Sequence, residues 1–484
     1  MRKLVYIWVM LCAVRVMAQD SLVVSHTVDT EISPSKKTPW VAAAEVAGLN
    51  LGLLAFDHYV LDAAYAKVTM HTLTRNLKLQ DWWWEHDLPY TNLLEHPYHG
   101  SLFYNASRAN GMNFWASSAF TVGGSLMWEI AGECEMLSIS DMAATSLGGI
   151  AIGEVLYRTS DLVLDNSTRG GARFGRELAA GLLNPMRGLN RLLSGEAWKV
   201  RSLPQGYSAV KTSPVDLTVV VGGRHVQANG VNEAKMNTGF LYANMTYGEW
   251  AEVTTNKPYD QFEARVRMVV GSHQNLFNEA SIMGRITARQ LQEDSHSATA
   301  LGLYQHFNYH YTDKVDGGER PYMVSEVAAA GPGLVWAYEA PTKKVSVGQG
   351  LFADGILMGA SPDDYKGRYH SLYSFGSGFG LKYHGWLKMP RRLKLDIKAD
   401  FYKLYTWIGY EEQGEKGVFA DKGAQGDVGN VSMLVVQPTL NVDISRELGV
   451  FVGASYYYRD RYYKHHDDVR SHTWEWTAGL SYNL

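Results

Sequence analysis

Thr473-Trp474-Glu475-Trp476-Thr477-Ala478-Gly479-Leu480-Ser481-Tyr482-Asn483-Leu484 is the stretch that decides the fold. Trp474, Trp476, Ala478, Leu480, Tyr482 and Leu484 alternate with Thr473, Glu475, Thr477, Ser481 and Asn483. Side chains on a strand point alternately to opposite faces, so one face here is apolar and the other polar. Only the apolar set tolerates hydrocarbon, which makes Trp474, Trp476, Leu480, Tyr482 and Leu484 the expected lipid-facing residues. The apolar face runs to the final residue, as assembly signals do in outer-membrane proteins. Leu484 stands where a terminal aromatic is more usual.

The same period of two extends backwards through the chain. Leu434, Val436, Pro438, Leu440, Val442 and Ile444 alternate with polar residues, as do Leu393, Leu395, Ile397, Ala399 and Phe401. Phe262, Ala264, Val266, Met268 and Val270 alternate with Glu263, Arg265 and Arg267. Such runs exceed ordinary globular strands and match tilted membrane-spanning ones. Charges on the alternate face are ruinous in a packed core but acceptable in a wet lumen. A soluble β-sandwich carrying those charges on its outer surface is the rival fold.

About twelve strand-like segments are expected, beginning near Leu217, Phe240, Phe262, Ile282, Thr299, Val324, Val345, Phe375, Leu393, Val431, Val450 and Thr473. An even number is the bacterial rule. Glu411 to Gly429 reads as a long polar loop, with further loops at Asp313 to Arg320 and at Pro362-Asp363-Asp364.

Composition agrees with a barrel. Aromatics make up 12% of the chain, with 29 Tyr against 15 Phe, and rings with one polar end suit a membrane boundary. The hydrophobic share of 46% implies no bundle of membrane helices. A net charge of -4 without a basic run argues against a nucleic-acid partner. Arg2 and Lys3, the apolar run Leu4 to Val14 and Val16-Met17-Ala18 form an expected export signal, residues 1–18. Its removal leaves Cys134 as the single cysteine, so no intrachain disulfide is expected.

The resulting plan is α+β. A flexible lead-in, 19–37, precedes a helical region, 38–200, and an antiparallel transmembrane β-barrel, 210–484. Thr38-Pro39 reads as the start of an apolar helix running to Leu61. Gly48 with Gly52, and Gly149 with Gly153, share a four-residue spacing that lets a neighbouring backbone approach closely. Asp81-Trp82-Trp83-Trp84 reads as an aromatic connector that wedges helices. Pro97 is expected to hold His96 extended, and Gly100 to permit a sharp turn. Ser138 or Ser140 is expected to cap the helix that carries Asp141 near its start.

The ionisable residues of this region are the candidate chemistry. Glu129 and Glu133 lie one helical turn apart, as do Glu154 and Arg158. One reading sends Glu129, Glu133 and Glu154 into a shared space, with Arg158 keeping one carboxylate ionised and His96 and His99 assisting. The plainer reading is a buried network that fixes helix register, with Glu154 and Arg158 as a structural ion pair. Two histidines three apart do not name a metal site, because no third and fourth ligand is evident, so neither metal nor cofactor is expected. Arg187 and Arg191, one turn apart, suggest a solvated helix face or a contact with anionic lipid.

His96-Pro97-Tyr98, Gly100, Trp128-Glu129, Ser138 with Asp141, and Gly149 with Gly153-Glu154 and Tyr157-Arg158 resemble an uncharacterised family of Gram-negative outer-membrane proteins defined by a domain of unknown function. Asn184-Pro185, Arg187-Gly188, Asn190-Arg191, Gly195, Trp198 and Gln305-His306-Phe307 extend the likeness. Met136-Leu137 before Ser138 departs from the family's Pro-Ser pairing. The resemblance implies outer-membrane residence and supplies no activity.

The expected function is therefore a non-enzymatic outer-membrane barrel, in transport or envelope structure, with the helices as plug or periplasmic base. An enzyme acting on lipid or cell-wall material through the carboxylates and histidines is the alternative. A docking protein for another envelope component is the third class. Expected partners are outer-membrane lipid and, during biogenesis, the barrel-assembly machinery, with other envelope proteins the open class.

Overall fold

The computed structural model describes residues 38–484 except 81, 85–86, 201–213, 230–233, 272–273, 314–319, 343, 366–372, 390–391 and 408–427. The expected signal, the lead-in and most of the Glu411 to Gly429 loop lie outside the described residues. The chain divides into two compact units, 1–212 and 213–484.

The first unit is helical. Its elements are α1 (Pro39–Tyr59), α2 (Met70–Asn76), α3 (His96–Ala109), α4 (Phe114–Ala131), α5 (Ile139–Ala143), α6 (Gly149–Val163), α7 (Gly170–Leu183) and α8 (Pro185–Leu193). Single π-turns, Thr91–Glu95 and Ala144–Gly148, lead into α3 and α6. Trp82–Trp83 pairs in parallel with Leu137–Ser138, so the aromatic connector is tied to the entry of α5. Ser138 Oγ accepts from the Asp141 amide at 3.2 Å and caps α5.

α3 departs from the expected turn at His96-Pro97. His96 has helical dihedrals, φ -59° and ψ -47°, and its amide bonds to the Thr91 carbonyl through the π-turn. Pro97 then falls in the first turn of α3, where its missing N–H costs nothing. Gly100 makes no sharp turn either, for it is the crossing point of two helices. A Cβ there would stand 1.7 Å from the Thr145 carbonyl oxygen, and one on Gly149 would stand 2.7 Å from Gly100 Cα. One on Gly153 would fall 2.8 Å from Tyr104 Cβ, so Gly149 and Gly153 lie on the α3–α6 seam. Gly48 and Gly52 do not pack in this way, since nothing stands within 4 Å of either position. α1 instead packs through Ala42, Val46 and Asn50, whose Nδ2 donates to the Gly124 carbonyl at 3.1 Å.

The second unit is a closed barrel of twelve antiparallel strands in simple chain order. They are β1 (Val215–Asn229), β2 (Ala234–Tyr247), β3 (Phe262–Val270), β4 (Phe277–Glu293), β5 (Ser297–Tyr311) and β6 (Met323–Glu339). β7 (Ser346–Pro362), β8 (Tyr373–Met389), β9 (Leu393–Thr406), β10 (Gly429–Asp443), β11 (Leu448–Tyr463) and β12 (Val469–Asn483) complete it, and β12 pairs back with β1. Closure leaves no strand edge unpaired. Pro362-Asp363-Asp364 begins at the end of β7, where Arg461 and Arg459 bind the two aspartates.

Alternation separates the two faces of the wall. Val221, Leu351, Leu381, Leu440, Val452, Trp474, Trp476 and Leu480 are exposed outward, whereas Thr473, Glu475, Thr477 and Ser481 are buried inward. Chain order places the connections 294–296, 340–345, 390–392 and 444–447 at the end that holds both barrel termini. At the other end lie 230–233, 271–276, 312–322, 363–372, 407–428 and 464–468, three of which are ten residues or longer. The exception is 248–261, which turns inward at the short-turn end. Trp250, Ala251, Tyr259 and Gln261 are buried there, and Trp250 Nε1 donates to the Gln349 carbonyl at 3.2 Å.

Candidate functional site

In the helical unit, Glu154 is the best-satisfied charge. Its carboxylate is fully buried and accepts from Tyr104 OH (2.7 Å), Arg108 Nε (2.9 Å) and Nη2 (3.1 Å), and Arg158 Nε (2.9 Å). Burial opposes its charge, but Arg108 and Arg158 outweigh that and hold its pKa below the ordinary carboxylate value. With its donors already engaged on both oxygens, Glu154 has no capacity to act on a substrate. Tyr104 and Arg108 lie one turn apart on α3, and the close Gly153–Tyr104 approach brings them to α6.

His96, Glu129, Glu133 and Asp141 form a separate group, which overturns the expected space shared with Glu154. Glu129 is drawn to the Ser138 amide, which donates to Oε2 at 2.7 Å, whereas Glu154 is drawn to α3. His96 Nε2 stands 3.6 Å from Asp141 Oδ1 and 3.7 Å from Asp87 Oδ2. Glu129 and Asp141 are each 1% exposed. Among the described residues, neither Asp141 carboxylate oxygen has a hydrogen-bond partner, nor has Glu133 Oε1.

Burial works against the His96 charge, yet Asp141, Asp87 and Glu129 prevail and raise its pKa to about 9. Burial raises Glu129 to about 8, with the Asp141 charge adding to the shift. Burial, then Glu129 and Asp141, push Glu133 further up. His99 takes no part. Its ring packs on Phe103 and edge-on to Trp128, and burial with the nearby His96 charge lowers its pKa to about 3. Glu129, Glu133 and Asp141 are buried in this group, and Asp87 at its edge is partly exposed. Among the described residues, no group of three or more His, Cys, Asp or Glu is arranged to hold a metal ion.

In the barrel the inward charges meet across the lumen. Arg265 on β3 pairs with Asp396 on β9, and Lys398 on β9 reaches Glu263 on β3 at 3.1 Å. β3 and β9 stand six places apart in a ring of twelve, so these ties join opposite walls. His384 on β8 bridges Glu263 (3.1 Å) and Asp396 (2.8 Å). Towards the long-loop end, Glu475 on β12 receives Arg224, Arg267 and Tyr322 OH, and the Tyr322 ring stacks on Tyr457 at 3.7 Å. Lys382 on β8 pairs with Glu326 and Asp354. A cavity of about 580 Å³ in the wall, lined by Gly223, His225, Asn237 and Trp476, touches none of the candidate residues of the helical unit.

Residues 81–186 match the family DUF3943, a domain of unknown function. The DUF3943 segment thus contains His96, Glu129, Asp141, Glu154 and the α3–α6 seam, while the barrel lies outside it. No curated protein matches the chain. Among solved structures, the NanC porin is 11% identical over 55% of this chain and 98% of its own, with a TM-score of 0.24. The KdgM porin is 10% identical over 54% and 98%, with a TM-score of 0.22. The translocator domain of the autotransporter NalP from Neisseria meningitidis is 13% identical over 57% and 90%, with a TM-score of 0.24. Likenesses at such scores carry no argument about function.

Sequence reasoning missed Arg108, Tyr104 and Asp87, and it assigned Asp141 only to the start of a helix. The one signal for the first two was their spacing, a turn apart on α3. Arg187 and Arg191 reverse the expectation of a solvated face or a lipid contact. Arg187 is 2% and Arg191 3% exposed, bound to Asp161 and Glu177 respectively. Large apolar residues occupy the outer side of that helix pair instead.

Proposed function

We propose that the chain is an integral outer-membrane barrel protein of non-enzymatic type, with a closed lumen and an envelope-structural role. Support for membrane residence comes from the inverted wall, apolar outside and charged inside, with short turns and both barrel termini at one end. The observation that carries the structural role over an open channel is the direct pairing of β3 with β9 across the lumen. Ion pairs between opposite walls leave no continuous water column at that level, and the inward 248–261 connection narrows one mouth further. The barrel's own side chains therefore do what a separate plug would do. Outer-membrane lipid and the assembly machinery are its partners on this reading, reached after export.

The catalytic alternative has less support. Its carboxylates are either saturated, as at Glu154, or enclosed, as at Glu129 and Asp141. Planar-bilayer recording of the purified protein tests the proposal. Silent insertions are the expected result, and steady ohmic steps from the unmodified protein would overturn the closed-lumen reading. Recovery of folded protein in a detergent-free aqueous fraction would overturn the barrel reading itself.

A further inference from the structure

The helix pair α7–α8 is built inside out for an element in water. A water-facing amphipathic hairpin turns its arginines outward and its leucines inward. Here Arg173, Arg176, Arg187 and Arg191 are all buried. Arg173 donates to the Ala197 carbonyl at 3.1 Å, Arg176 to the Val163 carbonyl at 2.8 Å, and Arg191 to Glu177 at 2.8 Å. The helices touch through Gly181 and Gly188, where a Cβ on Gly188 would stand 2.7 Å from Gly181 Cα. Small residues and arginines thus form the inner face.

Phe174 (64% exposed), Leu178, Leu182, Leu189, Leu193 (75%) and Trp198 (71%) form the outer one. Phe174, Leu178 and Leu182 repeat every four residues, so they make a stripe rather than scattered exposures. The carboxylates between 170 and 200 do not interrupt it. Glu177 is held by Arg173 and Arg191, and Glu196 by Lys199. The exposed charges that flank the two helices in the chain are cationic, Arg169 and Lys199, the second paired with Glu196. A contiguous apolar stripe with a cationic rim and a tryptophan at its end is the pattern of an element lying in a membrane interface.

We infer that the α7–α8 face docks on a phospholipid surface, its apolar side chains entering the acyl boundary and its rim cations meeting anionic headgroups. The inference rests on the barrel reading above. Residues 201–213 join the helical unit to strands that reside in a bilayer, and a linker of that chain length keeps the local lipid concentration high. A weak interfacial affinity is therefore enough for stable docking.

Spin labelling of the full-length protein tests this, with Cys12→Ala and Cys134→Ala as background, in proteoliposomes of phosphatidylethanolamine and phosphatidylglycerol. Labels are placed singly by Leu178→Cys and Leu193→Cys on the face, Ser167→Cys as a water-exposed reference and Leu381→Cys on the barrel wall. The expected result is that positions 178 and 193 behave like 381, more accessible to oxygen than to a water-soluble nickel complex, with the reverse ratio at 167. A lipid signal at 381 with a water signal at 178 and 193 would overturn the docking and leave the barrel intact. Shielding of 178 and 193 from both relaxants would also overturn it, because protein would then cover the face. A water signal at 381 as well would overturn the barrel reading, and the docking with it.

Discussion

The DUF3943 segment and the barrel both bury charge and expose apolar side chains, but they satisfy the buried charge differently. In the barrel, the charges that tie the lumen have partners on other strands, and two of the ties, Arg265 with Asp396 and Lys398 with Glu263, join opposite walls. In the helical segment, Glu154 is oversupplied with donors while, among the described residues, Asp141 has no hydrogen bond to either oxygen; in the barrel Glu263, Glu279 and Asp354 each leave only one oxygen without. A strand that alternates strictly delivers every second side chain to one shared interior, where partners meet. Helices deliver side chains in patches, so satisfaction depends on which patches cross. The densest set of buried charge contacts in the helical segment is at the α3–α6 seam, where Glu154 meets Tyr104, Arg108 and Arg158.

The largest effect is expected at that seam. Glu154→Gln leaves Arg108 buried without its counter-charge, at a cost of about 3–5 kcal/mol. Protease resistance of the helical unit in the detergent-solubilised protein should collapse, while the heat-modifiable migration of the barrel persists. Loss of both together would show that the two regions are not independent in stability. Unchanged resistance combined with loss of a cellular phenotype would favour the catalytic alternative.

Next come substitutions on the barrel's outer face. Leu381 lies mid-strand in β8 and is exposed, with buried Lys382 beside it pointing inward. Leu381→Arg should cost about 2–4 kcal/mol, and Leu480→Arg, near the end of β12, about 0–1 kcal/mol. The folded fraction after refolding into vesicles measures both. Equal tolerance at the two depths would mean that no bilayer faces this wall.

Smaller still is the contrast between glycines. Gly100→Ala should destabilise the helical unit by about 1–3 kcal/mol through forced repacking against Thr145. Gly48→Ala, in open space on α1, should stabilise it by up to about 1 kcal/mol through helix propensity. Thermal unfolding followed by far-ultraviolet dichroism separates the two, and a loss at Gly48 matching that at Gly100 would refute the open face of α1.

The smallest effect is a pH dependence confined to the helical segment. His96 is raised to about 9 from 6.5, so its contribution is complete below 6.5 and fades as pH rises through 9. Glu129 is raised to about 8 from 4.5, so the folded state loses stability as pH climbs through that interval. Both signs agree. Asp141 faces both groups and Asp87 faces His96, each adding negative charge, while the raised Glu133 adds a further carboxyl that resists ionisation. His99, lowered to about 3, acts in the opposite sense only up to about its ordinary 6.5, so the unfolding temperature of the helical unit should fall from pH 7 to pH 9, and His96→Gln should flatten the upper part of that slope. A rise over the range would contradict the buried acidic cluster.

Sequence alone pointed to the barrel, to about twelve strands and to the faces of those strands, because a period of two is a local property that survives any arrangement of neighbours. Trp474, Leu480, Thr473 and Glu475 can be sorted without knowing what stands opposite. It also marked Glu154 and Arg158, since residues four apart on a helix meet whatever surrounds them. Tertiary structure decided the rest. Arg265 and Asp396 both read as inward, but that they meet depends on closure at twelve strands, which brings β3 opposite β9. Arg187 and Arg191 look solvated in sequence and prove buried, because an arginine's destination depends on which carboxylates and carbonyls the neighbouring helices present. Gly48-Gly52 and Gly149-Gly153 share one spacing, yet only the second pair faces a helix close enough to need it. Spacing along a helix fixes a face; which helix comes to that face is a long-range fact.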